Sequence, residues 1–322
     1  MLRQIFRQNK NIFLKLAKKY VTLQKIKRKR MIDVSIIIVN YNTKELLKQC
    51  LKSVFEKTQN IDFEVIVVDN VSKDGSQQMI KNEFSNVTLI ESNENLGFGR
   101  ANNSGAKIAQ GKYLFFLNPD TILINNAVKI LFDFMEKNQN CGICGGNIFD
   151  ENLKPILSYG WLPNILDELT GLFSIKHENF NHSDKPKKVR CITGADLMIR
   201  KEIFDVINGF DSDFFMYHEE LELTHRVKKL GYLVYNVPQA NIIHLEGQST
   251  NCEQKAKFKL IGRRLYYQKT HSEFYRKIAD SIYFLTVISR LAAFTLLRKK
   301  EKLPFWKHTY FFIKEQRAKN KE

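Results

Sequence analysis

Carboxylates, amides and a histidine stand in this sequence where they could hold a charged phosphate group and move a proton. Glu219-Glu220-Leu221-Glu222 opens a helical stretch behind the apolar Phe214-Phe-Met-Tyr217. A carboxylate desolvated by such neighbours can take a proton from a hydroxyl, although acids in a first turn also complement the helix dipole. Asn118-Pro119-Asp120 follows the run Tyr113-Leu-Phe-Phe-Leu117. Asp120 there could offer hard oxygens to a divalent cation shared with phosphates, and the same tripeptide is good turn chemistry. His244 ends the apolar Asn241-Ile-Ile and is either a third metal contact or a packed histidine. Gly97-Phe-Gly99-Arg-Ala-Asn102 misses the dinucleotide fingerprint because Asn102 takes the third glycine's place, which argues against a nicotinamide or flavin enzyme. A turn of this kind can still present backbone N–H groups to a phosphate. Cys141-Gly-Ile-Cys144 has no second CxxC and no histidine at ligand spacing, so it reads as a buried strand.

The elements that must position these groups alternate. Val34–Val39, Glu64–Asp69, Val87–Ile90 and Lys112–Leu117 are short apolar runs, and helical stretches at Thr43–Lys57, Asp74–Phe84 and Gly97–Gln110 separate them. Continuous apolar strands each followed by a helix predict an α/β fold with a parallel sheet covered on both faces. Ligands in such sheets sit beyond the carboxyl ends of the strands. Those ends here are Asn40-Tyr41-Asn42, Asp69-Asn70, Ser92-Asn93-Glu94-Asn95 and Asn118-Pro119-Asp120. Further on, helix is expected at Ala127–Lys137, Glu202–Ile207 and His218–Lys229, and strand at Cys141–Ile148 and Arg190–Ile199. Residues 149–188 read as one long irregular stretch of functional type. From about Cys252 the chain is helical and basic.

The chain has 322 residues with 51 Lys+Arg against 34 Asp+Glu, a formal net charge of +17. Eleven of the cations lie in residues 1–30 without a single acid, leaving +6 for the rest. Five cysteines exclude a disulfide scaffold, and 43% apolar residues exclude a disordered chain. Lys15, Lys18 and Lys19 interrupt the apolar stretch a secretory signal would need. Phe13, Leu16, Ala17 and Tyr20 share a helical face opposite those lysines, which suits an anionic lipid surface. Nucleic acid is not expected, since no reader motif accompanies the charge. Ile278–Leu297 is long enough to span a bilayer, but Arg290 in its middle favours a helix at the interface or packed on its neighbours. The two ends together point to peripheral attachment at the cytoplasmic face of the cell membrane. Oligomeric state is left open.

In order, these segments resemble glycosyltransferase family 2, the inverting group with a GT-A fold, and within it the rhamnosyltransferase-like branch of bacterial surface polysaccharide assembly. The resemblance runs from about Val34 to Thr250. It rests on Val34–Asn42, Val65–Asn70 with Asp74-Gly75-Ser76, Asn95–Gly99 with Asn102-Asn103, and Tyr113–Asp120. It continues with Gly194-Ala195 and Arg200, Gly209-Phe-Asp211, Phe215–Glu220 with Glu222 and Arg226, and His244 with Ser249. It implies a GT-A domain over 33–250, flanked by the basic arm over 1–32 and the basic helical membrane-associating region over 251–322 that charge and apolar patterning already suggest. Within the domain, 33–125 would be the nucleotide-sugar half and 126–250 the acceptor half.

The resemblance also implies roles. Asn118-Pro119-Asp120 takes the place of the Asp-x-Asp motif, so Asp120 would touch a divalent metal (Mg2+ or Mn2+), with Asn118 assisting and His244 a further ligand. Asp69 would hold the base or ribose, with Val39 and Tyr41 beside it, while Asn95, Gly97 and Arg100 border the diphosphate. Glu219-Glu220-Leu221-Glu222 aligns with the family's acidic block, making Glu220 the expected general base, with Glu219 and Glu222 as alternatives. His218 stands where the family usually has an aromatic residue. Tyr159 and Trp161 of the long stretch, with Gly194, Ala195 and Asp196, would meet the acceptor. The implied donor is a nucleoside-diphosphate sugar, dTDP-rhamnose or a UDP-hexose, and the implied acceptor a growing glycan or lipid-linked sugar. Rival readings are a catalytically inactive binding protein on the same fold, another nucleotide-binding α/β enzyme, and a retaining rather than inverting transferase.

Overall fold

The computed structural model describes residues 32–173, 178–245, 252–298 and 300–319. The expected N-terminal amphipathic helix and Ser249 lie outside them.

Strands β1 (Val34–Asn40), β2 (Phe63–Asp69), β3 (Val87–Glu91) and β4 (Tyr113–Leu117) run parallel in the order β3-β2-β1-β4. Their crossovers are helices α1 (Lys44–Lys57), α2 (Ser76–Glu83) and α3 (Gly97–Ile108). Alternation along β1 explains the layers. Val34, Ile36 and Ile38 enter one core with Leu47, Leu51 and Val54 of α1, and Ile37 enters a second core with Ala101 of α3. In α1 the buried Leu47, Cys50, Leu51 and Val54 form one stripe at helical spacing. Both faces of the sheet are thus covered, as the unbroken apolar runs require.

The second half extends the same sheet in a different sense. β5 (Thr121–Leu123), α4 (Ala127–Lys137) and β6 (Cys141–Phe149) follow β4, and Cys141 and Cys144 are buried inside β6. The expected single strand at Arg190–Ile199 is broken by a turn at Thr193-Gly194-Ala195. β9 (Cys191–Ile192) pairs with β7 (Tyr159–Gly160) in a separate two-stranded sheet, whereas β10 (Asp196–Arg200) inserts antiparallel between β4 and β6. The stretch expected to be irregular contains β7, helix α5 (Ile165–Leu172), capped by Asn164, and β8 (Lys187–Lys188). Helices α6 (Lys201–Val206) and α7 (Glu219–Lys229) lead to β11 (Leu233–His244), a long strand of which the sequence marks only the apolar Asn241-Ile-Ile before His244. Its pairing with β6 shifts register between Asn236 and Asn241, around Pro238, which interrupts the alternation a strand is recognised by. The far end of β11 then pairs antiparallel with β5, placing His244 opposite Thr121.

Beyond the sheet lie α8 (Cys252–Thr270), α9 (Glu273–Leu296) and α10 (Leu303–Lys319). The buried Arg263 of α8 ties them to α5, reaching Glu168 at 2.9 Å and Asp280 of α9 at 2.6 Å. Arg290, the cation expected to disfavour a simple membrane span, donates to Gly171 O of α5 at 2.5 Å. Both charged side chains in the apolar part of α9 are therefore engaged by protein groups.

Candidate active site

Backbone pairing delivers the acidic and imidazole groups to one place. Asp120 directly precedes β5, His244 ends β11, and Leu245 N donates to Asp120 O at 2.9 Å across the pair. His244 Nε2 consequently lies 3.2 Å from Asp120 Oδ1 and 3.4 Å from Asn118 Nδ2, with Asp120 and His244 each about one-sixth exposed. Adjacent ligands of an octahedral cation with bonds near 2.1 Å sit about 3 Å apart. The Asp120–His244 pair therefore fits a metal that keeps its other positions for phosphate oxygens and water. Among the described residues no group of three or more His, Cys, Asp or Glu is placed to hold a metal, and this place offers two such side chains with the Asn118 amide beside them.

Other expected nucleotide residues line the same strand ends in different ways. Asp69 is fully buried: its carboxylate accepts from Asn40 Nδ2 at 2.7 Å, Ser72 N at 2.8 Å and Gln77 Nε2 at 2.6 Å. These bonds shape the turn after β2, at the strand end where the base or ribose is expected. Tyr41 is 42% exposed at the mouth beside it, following the half-buried Val39. Asn70, which the sequence reading gave no role, donates to Gly97 O at 2.9 Å and fastens the loop before α3. Asn95 Oδ1 accepts from Gly97 N at 2.9 Å, and Arg100 Nε donates to Leu96 O at 2.9 Å. Gly97 has a φ of +74°, and Phe98 N donates to Phe215 O at 2.9 Å. The loop of the first half thus rests on the turn that presents the acidic block.

That turn is strained. Tyr217 and His218 are both left-handed, with φ of 69° and 73°, a conformation non-glycine residues adopt at a cost. It aims the three glutamates of α7 in three directions. Glu222 is buried and held by Arg226 through Nε (2.7 Å) and Nη2 (2.6 Å), and Arg226 also bonds Ile207 O and Gly209 O. That makes Glu222 a clamp between α7 and the 207–209 turn, which removes it from the candidate bases. Glu219 is buried beside Gly99 of α3, and its carboxyl is pushed well up by burial and by Glu220. Glu220 alone of the three is partly open; its Cβ lies 4.0 Å from the place a side chain at Gly194 would occupy, next to the Phe98 ring. Burial raises its proton affinity, while its own backbone N–H and Lys259 act the other way.

Gly194 and Ala195 bridge the two chemical groups. Ala195 O accepts from Asn118 N at 3.0 Å, so the turn beside Glu220 is bonded to the segment that carries Asp120. Asp196, expected to meet an acceptor, is instead fully buried in β10, where its Oδ2 accepts from Gly146 N at 2.6 Å. Trp161 lies on the two-stranded sheet side with the Arg190 guanidinium 4.1 Å over its ring.

A support that the sequence reading missed comes from α8. A side chain at Gly262 would meet Tyr217 O at 2.3 Å, Phe258 packs on Phe215 with ring centroids 5.2 Å apart, and the Lys259 ammonium lies 5.4 Å over the Tyr217 ring. Burial, with Lys259 and Arg263 nearby, brings His218 down to about 3, keeping it neutral. A glycine inside a helix costs about 1 kcal/mol against alanine, so Gly262 was the available signal.

Comparison with known proteins now adds identity. Residues 35–208 match Glycosyl transferase family 2. An N-acetylglucosaminyl-diphospho-decaprenol L-rhamnosyltransferase of Mycobacterium tuberculosis is 27% identical over 244 residues, covering 68% of this chain and 78% of that protein. The rhamnosyltransferase WbbL of Escherichia coli K12 is 25% identical over 228 residues, covering 66% and 83%. In fold, a mannosyltransferase of Pyrobaculum calidifontis solved with GDP-Man and Mn2+ superposes with a TM-score of 0.57 at 14% identity, covering 87% of this chain and 86% of that one. The family match spans more than half of the chain, and the sheet is that of the GT-A enzymes. The chain belongs to glycosyl transferase family 2 and is a glycosyltransferase.

Proposed function

We propose that this enzyme moves a sugar, rhamnose from dTDP or a hexose from UDP, onto a hydroxyl of a growing surface glycan or lipid-linked acceptor, with inversion. The observation that carries the reading is the junction of Asp120–His244 with Glu220 through the Asn118 N to Ala195 O bond. Asp120 and His244 would hold a divalent cation, Mg2+ or Mn2+, with Asn118 beside them. A bound cation would offset charge on the departing diphosphate. Glu220 takes the proton of the acceptor hydroxyl, which attacks the anomeric carbon from the side opposite the diphosphate. Asp69 holds the base or ribose at the end of β2 with Val39 and Tyr41 beside it, and Asn95, Gly97 and Arg100 border the diphosphate. Trp161, Gly194 and Ala195 face the acceptor.

The mycobacterial relative's name, an N-acetylglucosaminyl-diphospho-decaprenol L-rhamnosyltransferase, supports a lipid-linked acceptor. α9 is long and apolar enough to cross a membrane, Leu285, Ile288, Leu296 and Leu297 are exposed, and Arg298, Lys300 and Lys302 follow its end. This supports peripheral docking on an anionic cytoplasmic membrane face. The test of function is a thermal-shift series with UDP, dTDP and GDP, each with manganese or chelator. A saturating nucleotide, at a hundred times its Kd, should stabilise by about 2.7 kcal/mol. Stabilisation by UDP or dTDP that requires metal supports the reading; indifference to every nucleotide sinks it.

A further inference from the structure

Helix α5, on the acceptor side, is apolar and yet has no buried residue. Ile165, Leu166, Leu169 and Leu172 make up half of its eight residues. Leu166 is 72% exposed, and Phe173, seven positions on and so on the same side of the helix, is 70% exposed. The other side is tied down. Glu168 accepts from Arg263 Nε of α8 at 2.9 Å, Ile165 N donates to Tyr275 Oη of α9 at 2.9 Å, and Arg290 of α9 donates to Gly171 O. Asp167 adds a link to the acceptor groups: its Oδ2 lies 3.6 Å from Arg190, whose guanidinium covers the Trp161 ring. The helix is therefore fixed in place with its apolar stripe turned outward.

α9 presents a matching stripe. Phe274, Ser281, Leu285, Ile288, Ala292 and Leu296 are exposed at helical spacing, while Ala279, Thr286 and Val287 are buried on the other side. Arg263 reaches Glu168 of α5 and Asp280 of α9, so both helices are fastened to α8 and both leave an apolar stripe outside. Residues 298–302, just past α9, hold four cations and one acid. A second copy of this chain laid on the face would bring like charges together. An anionic bilayer accepts the apolar stripes and the cations at once.

We infer that Leu166 of α5 and Phe173 just after it enter the bilayer beside the outward stripe of α9, so that the acceptor side of the cleft stands at the membrane surface. Trp161 is held there through Arg190 and Asp167, with only three residues of chain between it and the start of α5. This rests on the peripheral docking proposed above and deepens it: the contact extends from the C-terminal helices to an element of the acceptor half.

The test is co-sedimentation of the full chain with vesicles of phosphatidylglycerol and phosphatidylcholine, for the parent, L166S/F173S and L285S/I288S. L166S/F173S should weaken partition into the vesicles by roughly tenfold or more, the scale of withdrawing one large apolar side chain from lipid. Its melting temperature and its binding of UDP or dTDP with manganese should match the parent's. Independently of that variant, F173W should add to the parent's emission a blue-shifted component on vesicles, which brominated acyl chains quench. Parent-like partition of L166S/F173S, or F173W emission that brominated lipid leaves untouched, overturns the proposal. So does a dimer in free solution that L166S/F173S dissociates, because a second copy then covers the face. If only L285S/I288S loses the vesicles, the α5 contact falls and docking through α9 stands. If the parent does not bind vesicles, both fall.

Discussion

Phe215 O occupies the space a side chain at Gly97 would need, 2.2 Å from its Cβ position, and accepts a hydrogen bond from Phe98 N at 2.9 Å. Two loops more than a hundred residues apart in sequence are thereby locked at the centre of the site. Gly97→Ala must give up either the left-handed φ of +74° or this contact. We expect a loss of at least about 2 kcal/mol in stability. Nucleotide affinity should fall with it, measured by denaturant unfolding and by nucleotide titration.

The metal pair has a separate signature. Asp120→Ala and His244→Ala should each abolish the manganese-dependent part of stabilisation by nucleotide while leaving the melting temperature of the free protein nearly unchanged. A variant that keeps the full metal-dependent shift removes that residue from the ligand set.

The three glutamates should separate by experiment. Glu220→Gln keeps shape and loses the base, so kcat should fall by about 10²–10⁴-fold with donor affinity retained. Glu222→Gln breaks a buried clamp instead. Because Arg226 keeps two carbonyl partners and is 24% exposed, the expected cost is roughly 2–3 kcal/mol of stability, below that of a fully buried pair. Denaturation curves of the two variants, set against their kcat, decide between the roles.

Glu219 gives a pH prediction with a definite sign. Its carboxyl is raised in the folded chain, first by burial and then by Glu220. The folded state then binds a proton more tightly than the unfolded one, so this group favours folding below its unfolded value near 4.5 and loses that contribution as pH rises through the folded value. Glu219→Gln should remove this component, so its stability advantage over the parent grows from pH 4 upward. Unfolding free energies between pH 4 and 8 measure it; parallel profiles would show that Glu219 carries no such load.

Much of this was legible because local pattern and physics agreed. The apolar runs of β1 to β4 have one reading as buried parallel strands, and the polar residues after them fall at the site by the topology of the sheet. β11 was hidden because Pro238 and the shifted register around it break the alternation. The pairing of Thr121 with His244, and so the closeness of His244 to Asp120, depends on that hidden strand. Asp196 and Asp69 carry the residue type expected of a binding group, yet sequence does not say whether a carboxylate faces a cleft or Gly146 N and Ser72 N. The choice among Glu219, Glu220 and Glu222 needed the direction in which each leaves α7.

Gly262 lies well beyond residues 35–208, yet its missing side chain lets α8 settle on Tyr217 O. For anyone building chimaeras between related transferases, the end of the family match is therefore the wrong place to cut. A donor helix with any larger residue at this position would push on the turn that aims Glu220. The exchangeable unit is α8 together with residues 214–218, transplanted as a matched set.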